Sequence, residues 1–229
     1  AFWISYYKFF PTNKLIIKTW YLDEYQKNFW KKFYLNWLWE FFYTNKISPK
    51  WLLIFESISD FKFEKIDYNV ENKTLLPIWW GKDSIVSIEI LKEIWEKIDL
   101  FTFSSKDNIL YENTQNNSWL NRLFVKRELS KNILEMINSW YYNWHVPITW
   151  LIAFILQMVS YIYDYKYLVL SNEKSANFWN TIWEWIEINH QWSKSLDFEV
   201  DFWNYISKYI SSNTKYFSLL RPFYEIKIA

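Results

Sequence analysis

One stretch, Thr74-Leu75-Leu76-Pro77-Ile78-Trp79-Trp80-Gly81-Lys82-Asp83-Ser84, sets what this chain can build. A short apolar run ends at Ile78 and an amphipathic pattern begins at Ser84, so the segment reads as strand, tight turn, helix. The turn holds the only glycine of 229 residues, followed by Lys, Asp and Ser. A strand feeding a helix N-terminus can bind phosphate through backbone N–H donors and the positive end of the helix dipole. Two indoles beside the turn conflict with that use, because glycine is what lets a backbone close on an anion.

The conflict recurs along the chain. Its 18 Trp and 1 Gly together make about 8% of the residues, close to the ordinary glycine share of ~7%. We therefore expect most Trp codes to stand where the native protein carries Gly. The codon UGA is read as stop, Trp or Gly in different genetic codes, and translation with the wrong table produces this substitution. The segments Trp79-Trp80, Asn36-Trp37-Leu38-Trp39, Asn143-Trp144 and Ser139-Trp140 read as turns. With Gly in place, the loop becomes Ile-Gly-Gly-Gly-Lys-Asp-Ser. The alternative is a chain that is rich in tryptophan by nature.

The length suffices for one large domain or two small ones. We expect residues 1–66 to form a mixed α+β region and residues 67–229 an α/β domain on a Rossmann-like parallel sheet. A net charge of +1 supplies no field for nucleic acid. The apolar run from Trp150 to Val159 contains Gln157 and is too short to span a bilayer, so no membrane partner is expected. The absence of Cys excludes a disulfide framework and a thiolate metal site. The chain opens on Ala1 without a secretory pattern, which points to a fragment of a cytoplasmic protein.

Helices are expected over 23–29, 31–38, 84–98, 127–138, 151–160 and 200–210, and strands over 52–56, 75–78, 99–103 and 167–170. In the helix after Gly81, the positions Ile85, Ile88, Leu91, Ile94 and Ile98 are read as the face toward the sheet, and Asp83 or Ser84 as its cap. Polar loops follow the strands at 104–108 and 171–180, the edge where open parallel sheets bind ligands. The segment from Asn189 to Ser195 has the same polar character.

The loop lacks the GxxxxGK[ST] spacing of nucleoside triphosphatases. Read with Gly at 80, Trp80-Gly81-Lys82-Asp83-Ser84 instead resembles the GGxDS loop of the PP-loop ATP pyrophosphatases. Four segments resemble one family within that superfamily, the UDP-N-acetylmuramoyl-L-alanyl-L-glutamate epimerases. They are Leu76 to Ser84, Asn143 to Thr149, Leu170 to Asn177 and Asn189 to Glu199, each read with Gly for Trp. The resemblance covers about residues 36–229 and departs at the Trp positions. The family's proteins are longer, so a C-terminal part is expected beyond this sequence.

The resemblance implies an ATP- and Mg²⁺-dependent epimerase of peptidoglycan precursor synthesis, inverting the terminal L-Glu of a UDP-muramoyl dipeptide by adenylating its carboxylate. Positions Trp79, Trp80, Gly81, Lys82, Asp83 and Ser84 would hold the nucleotide, with Asp83 also at the metal. His145, His190, Glu173 and Lys194 are candidates for acid and base. Asn172, Ser175, Asn177, Asn189, Gln191, Ser193 and Ser195 suit substrate recognition, and ordinary loop capping accounts for them equally. Two other readings remain open: a different PP-loop enzyme that amidates or modifies tRNA, and a non-catalytic aromatic-rich binding module.

Overall fold

The computed structural model describes residues 7–48, 53–79, 81–94, 97–139, 141–142, 148–178, 181–183, 186–189 and 191–228. In chain order its elements are β1 (Lys14–Ile17), α1 (Glu24–Thr44), β2 (Ile54–Ser57), β3 (Glu71–Pro77), α2 (Lys82–Ile94), β4 (Ile98–Ser104), α3 (Ile109–Ser118), β5 (Asn121–Lys126), α4 (Lys131–Ile137), α5 (Thr149–Tyr163), β6 (Tyr165–Leu170), β7 (Thr181–Trp183), β8 (Ile186–Ile188), α6 (Leu196–Tyr209) and β9 (Lys215–Ser218). The chain divides into two compact units. The first gathers residues 1–65, 129–148 and 178–193, the second residues 66–128, 149–177 and 194–229.

In the first unit β1 and β2 pair in parallel, Lys14 opposite Ile54, with α1 as the crossover such a pair needs. A capping box starts α1. The Asp23 carboxylate accepts the Gln26 N–H at 2.8 Å, and the Gln26 side chain accepts the Asp23 N–H at 3.0 Å. The two short helices expected here are one continuous helix, because no Gly or Pro interrupts it and its buried face never lapses. Phe29, Phe33 and Trp37 recur every four residues, and Tyr34, Leu38 and Phe41 fill the neighbouring row. Trp37 and Trp39 are thus buried helix residues, contrary to the turn read over 36–39. The Phe33 ring packs edge-on to Trp192 at 5.8 Å. The antiparallel pair β7–β8 completes the described strands of this unit.

The second unit is built on five strands in the order β5-β4-β3-β6-β9, every neighbouring pair parallel. The chain enters at the central strand, winds outward through β4 and β5, then returns to the other side for β6 and β9. This is a Rossmann-like α/β sheet, with its topological switch between β3 and β6. Leu76, Ile78, Ile88, Leu91, Ile98, Leu100, Tyr111 and Val169 form one buried cluster joining β3, α2, β4, α3 and β6.

The structure corrects the expected inner face of α2. Ile88 and Leu91 are buried together with Ser84 and Ser87, whereas Ile85 and Ile94 are about half exposed or more. Steps of three residues lag a 3.6-residue turn by about 60° each, so the three such steps from Ile85 to Ile94 rotate off the sheet, and Ile98 already belongs to β4. The helix expected over 127–138 begins only at Lys131, where the Ser130 hydroxyl caps it by accepting the Ile133 N–H. Upstream, residues 121–126 pair with β4 as an edge strand. No helix among the described residues is long and apolar enough to cross a membrane.

Candidate functional site

The carboxyl ends of β3 and β6 lie side by side at the sheet's switch point. After β3 the chain passes through Ile78, whose N–H bonds the Phe101 carbonyl at 2.9 Å, and turns into α2. Ser84 locks this turn from inside the helix. Its buried hydroxyl accepts the Trp79 N–H at 2.9 Å, and its own N–H bonds the Gly81 carbonyl at 3.2 Å. The expected phosphate-binding hydroxyl is therefore engaged with the loop's own backbone. Gly81 has no left-handed φ, and a Cβ placed on it would meet nothing within 4 Å. Neither backbone strain nor protein packing demands glycine there.

Asp83 projects from the first turn of α2. One of its carboxylate oxygens, Oδ1, is shielded from solvent with no hydrogen-bond partner among the described residues. Burial raises its carboxyl above the ordinary value, and the nearby Glu173 charge raises it further. Glu225 adds to the rise, while Lys82 and Lys194 oppose it. Asp83 feels the Glu173 charge, but no group of three or more His, Cys, Asp or Glu gathers as a metal site among the described residues. Lys82 pairs with Glu225 at 3.4 Å, and these two line an open recess of ≈ 490 Å³ with Ser175, Tyr224 and Ile226. That volume is within the range of small-ligand sites.

The loop after β6 forms the opposite wall. The Glu173 carboxylate accepts the Ser175 N–H at 2.7 Å, starting a short 3₁₀ turn over Lys174–Asn177. The Lys174 ammonium lies 4.5 Å from the Tyr224 ring centre. Asn172, Asn177 and Ser195 have structural partners. Asn172 donates to the Ser218 hydroxyl at 3.0 Å, Asn177 accepts the Leu196 N–H at 2.6 Å, and Ser195 caps α6 through the Phe198 N–H at 3.2 Å.

Lys82, Asp83, Glu173, Ser175 and Lys194 thus belong to one cluster. Asn189, Gln191 and Ser193 lie in the first unit. There the Asn189 side chain accepts the Gln191 N–H at 2.8 Å, and Ser193 is buried with its hydroxyl unpartnered among the described residues. Trp80, His145 and His190 fall outside the described residues. Sequence reading missed Arg221, Glu199, Ser218, Tyr224 and Glu225. Apart from the Arg221–Ser218 bond three positions apart, the bonds that place them span 19 to 143 positions, and no local pattern announces them.

Comparison with known proteins agrees with this architecture. Residues 2–219 match the family described as the MurL N-terminal domain. Three curated proteins, each named UDP-N-acetyl-alpha-D-muramoyl-L-alanyl-L-glutamate epimerase, are similar. The one from Xanthomonas oryzae pv. oryzae is 28% identical over 226 residues, 99% of this chain and 50% of the relative. That from Salinispora tropica is 32% identical over 72% of this chain and 36% of its own length. That from a Micromonospora species is 31% identical over 70% and 36%. The chain spans about half the length, or less, of these relatives. With nearly its whole length matched and a parallel sheet beneath it, this chain belongs to the MurL N-terminal domain family.

Proposed function

We infer that this chain provides the nucleotide-handling part of an ATP-dependent epimerase acting on the terminal L-Glu of UDP-N-acetylmuramoyl-L-alanyl-L-glutamate, in the manner of a PP-loop enzyme. The observation that carries the reading is the Asp83 oxygen, unsatisfied among the described residues and under the Glu173 charge, at the helix start where the strand order reverses. Asp83 and Glu173 would hold Mg²⁺, and the Lys82 ammonium would neutralise phosphate charge. Glycine at 81 leaves open space beside the backbone, as close approach by a ligand requires. ATP supplies the adenylyl group that masks the substrate carboxylate.

Masking that carboxylate is the physical core of the proposal. An α-carbanion beside a carboxylate faces a second negative charge, whereas beside a neutral acyl group it delocalises as an enolate. One protein group then takes the proton from one face and another returns it on the opposite face. His145, His190, Glu173 and Lys194 are the proposed groups, and the cytoplasm, where ATP is available, is the proposed compartment.

The reading includes glycine for Trp at positions 79 and 80. One structural observation favours such replacement elsewhere. Trp119 ends α3 in the left-handed conformation, φ 59°, with 92% of its surface exposed, a position that glycine normally fills. The buried Trp37, Trp39, Trp150 and Trp192 give no such sign. The mass of the tryptic peptide Thr74–Lys82 from the native organism decides whether indoles are present.

The activity is tested by incubating the full-length protein with the muramoyl dipeptide, ATP and Mg²⁺ in D₂O. The expected outcome is D-Glu carrying α-deuterium, with AMP and pyrophosphate released. ADP as the product, or no change at the glutamate centre, defeats the proposal.

A further inference from the structure

The strongest organising element near the site is an arginine that no motif marks. Arg221 follows β9, and its nearly buried guanidinium reaches four separate segments. Nη1 donates to the Glu173 carbonyl at 3.2 Å and to Asn177 Oδ1 at 3.4 Å. Nη2 donates to the Lys194 carbonyl at 2.8 Å, Glu199 Oε2 at 2.9 Å and Ser218 Oγ at 3.2 Å. Its countercharge is Glu199, equally buried on the first turn of α6, and only about a tenth of either side chain is exposed. Ser218 closes the circuit by donating to Glu199 Oε2 at 2.6 Å while accepting from Asn172 at 3.0 Å.

Two of these contacts coincide with a change of unit. Asn177 is the last residue of the second unit before residues 178–193 join the first, and Lys194 is the first residue after them. The guanidinium therefore holds both ends of that excursion. It also fixes the main chain of Glu173 and Lys194, whose side-chain charges act on Asp83. A buried ion pair is poor evidence for stability, since desolvation offsets much of the attraction, but its planar fork of donors specifies geometry.

We propose that Arg221 is a positioning residue for the site at the β3–β6 switch point, setting where Glu173 and Lys194 stand by clamping their backbones. The inference rests on the epimerase reading for its catalytic consequence, but not for its structural one. Arg221 touches no reacting group itself. Lysine in its place keeps a charge for Glu199 but offers a single point of donation instead of a fork.

Arg221→Lys and Arg221→Ala are compared with the wild type in two measurements. In the ligand-free protein, hydrogen exchange is expected to accelerate at the backbone amides of 171–177 and 194–196 and to stay unchanged at 78–84. Acceleration spread evenly over the sheet overturns the proposal, because it marks a general stabilising role. In turnover, kcat is expected to fall ~100-fold, the scale of an ångström-level misplacement, with KM for ATP unchanged. Added guanidinium is expected to restore part of the Arg221→Ala loss and none of the Arg221→Lys loss. If the alanine variant does not fold, the lysine variant carries both measurements. Wild-type exchange and wild-type kcat in Arg221→Lys overturn the proposal. Should the wild type itself form no D-Glu, the epimerase reading fails, and the exchange pattern still decides the role of Arg221.

Discussion

The two walls of the switch point are knit together to different degrees. On the β6–β9 side, Arg221, Glu199, Ser218 and Asn172 share a network in which each donates to or accepts from another. On the β3 side, Asp83 keeps a buried oxygen without a partner among the described residues, and a Cβ placed on Gly81 would meet nothing within 4 Å beyond its chain neighbours. Satisfied groups fix a shape, while an unsatisfied group at a sheet's ligand edge asks for something from outside. The denser network suits the β6–β9 wall to scaffolding, although Ser171 Oγ, Tyr216 OH and Arg221 Nε there also lack partners among the described residues.

The sharpest way to break that contrast is Glu199→Ala. It strands the Arg221 guanidinium without its countercharge, and the expected loss is about 3–5 kcal/mol of folding stability. Urea unfolding measures it, and a loss under 1 kcal/mol would mean that the pair is not the wall's keystone. Ser84→Ala comes next. Removing the hydroxyl that accepts the Trp79 N–H is expected to cost about 1 kcal/mol, with the unfolding slope unchanged. A neutral result would show that the turn closes without this bond.

Asp83→Asn has the opposite sign. Burial and the Glu173 charge hold the Asp83 carboxyl above its ordinary value of 3.8. Such a group contributes stability fully below the ordinary value and loses it as pH rises through the raised one. Asparagine stays neutral throughout. In chelator-treated samples, the variant's urea midpoint should therefore gain on the wild type as pH rises from below 3.8 toward neutrality. A constant difference would remove the claim that Asp83 is strained by its surroundings. The smallest effect belongs to Glu225→Gln, at the rim. Its pair with Lys82 has both side chains well exposed and contributes at most ~1 kcal/mol. Stability should hold while ATP affinity rises, because Lys82 is relieved of a competing carboxylate. Unaltered affinity would separate Lys82 from the nucleotide.

The sequence made one wall legible and hid the other. Strand, turn and helix over 74–94 follow from contiguous residues, so periodicity and a single glycine reveal them. The polar loop after Leu170 was equally local. Strands β5 and β9 escaped because Asn121–Lys126 and Lys215–Ser218 are short edge strands that mix charge with apolar residues, a weak period-two signal. Arg221 escaped for a different reason. It sits in a turn before Pro222, and its meaning depends on Glu173 and Glu199, 48 and 22 positions away. The turn read at Asn36–Trp39 failed because glycine-like placement was inferred from neighbours, while burial of an aromatic face had already committed the segment to a helix.

The clasp at Asn177 and Lys194 has an evolutionary corollary. With both ends tied by one side chain, the stretch 178–188, upstream of the proposed His190, can lengthen or shorten without tugging on the sheet. Loop closure is only weakly sensitive to length, so such variation carries a small thermodynamic penalty. Length variation among relatives should therefore collect inside 178–188 and spare the segment from Asn189 onward that carries the resemblance.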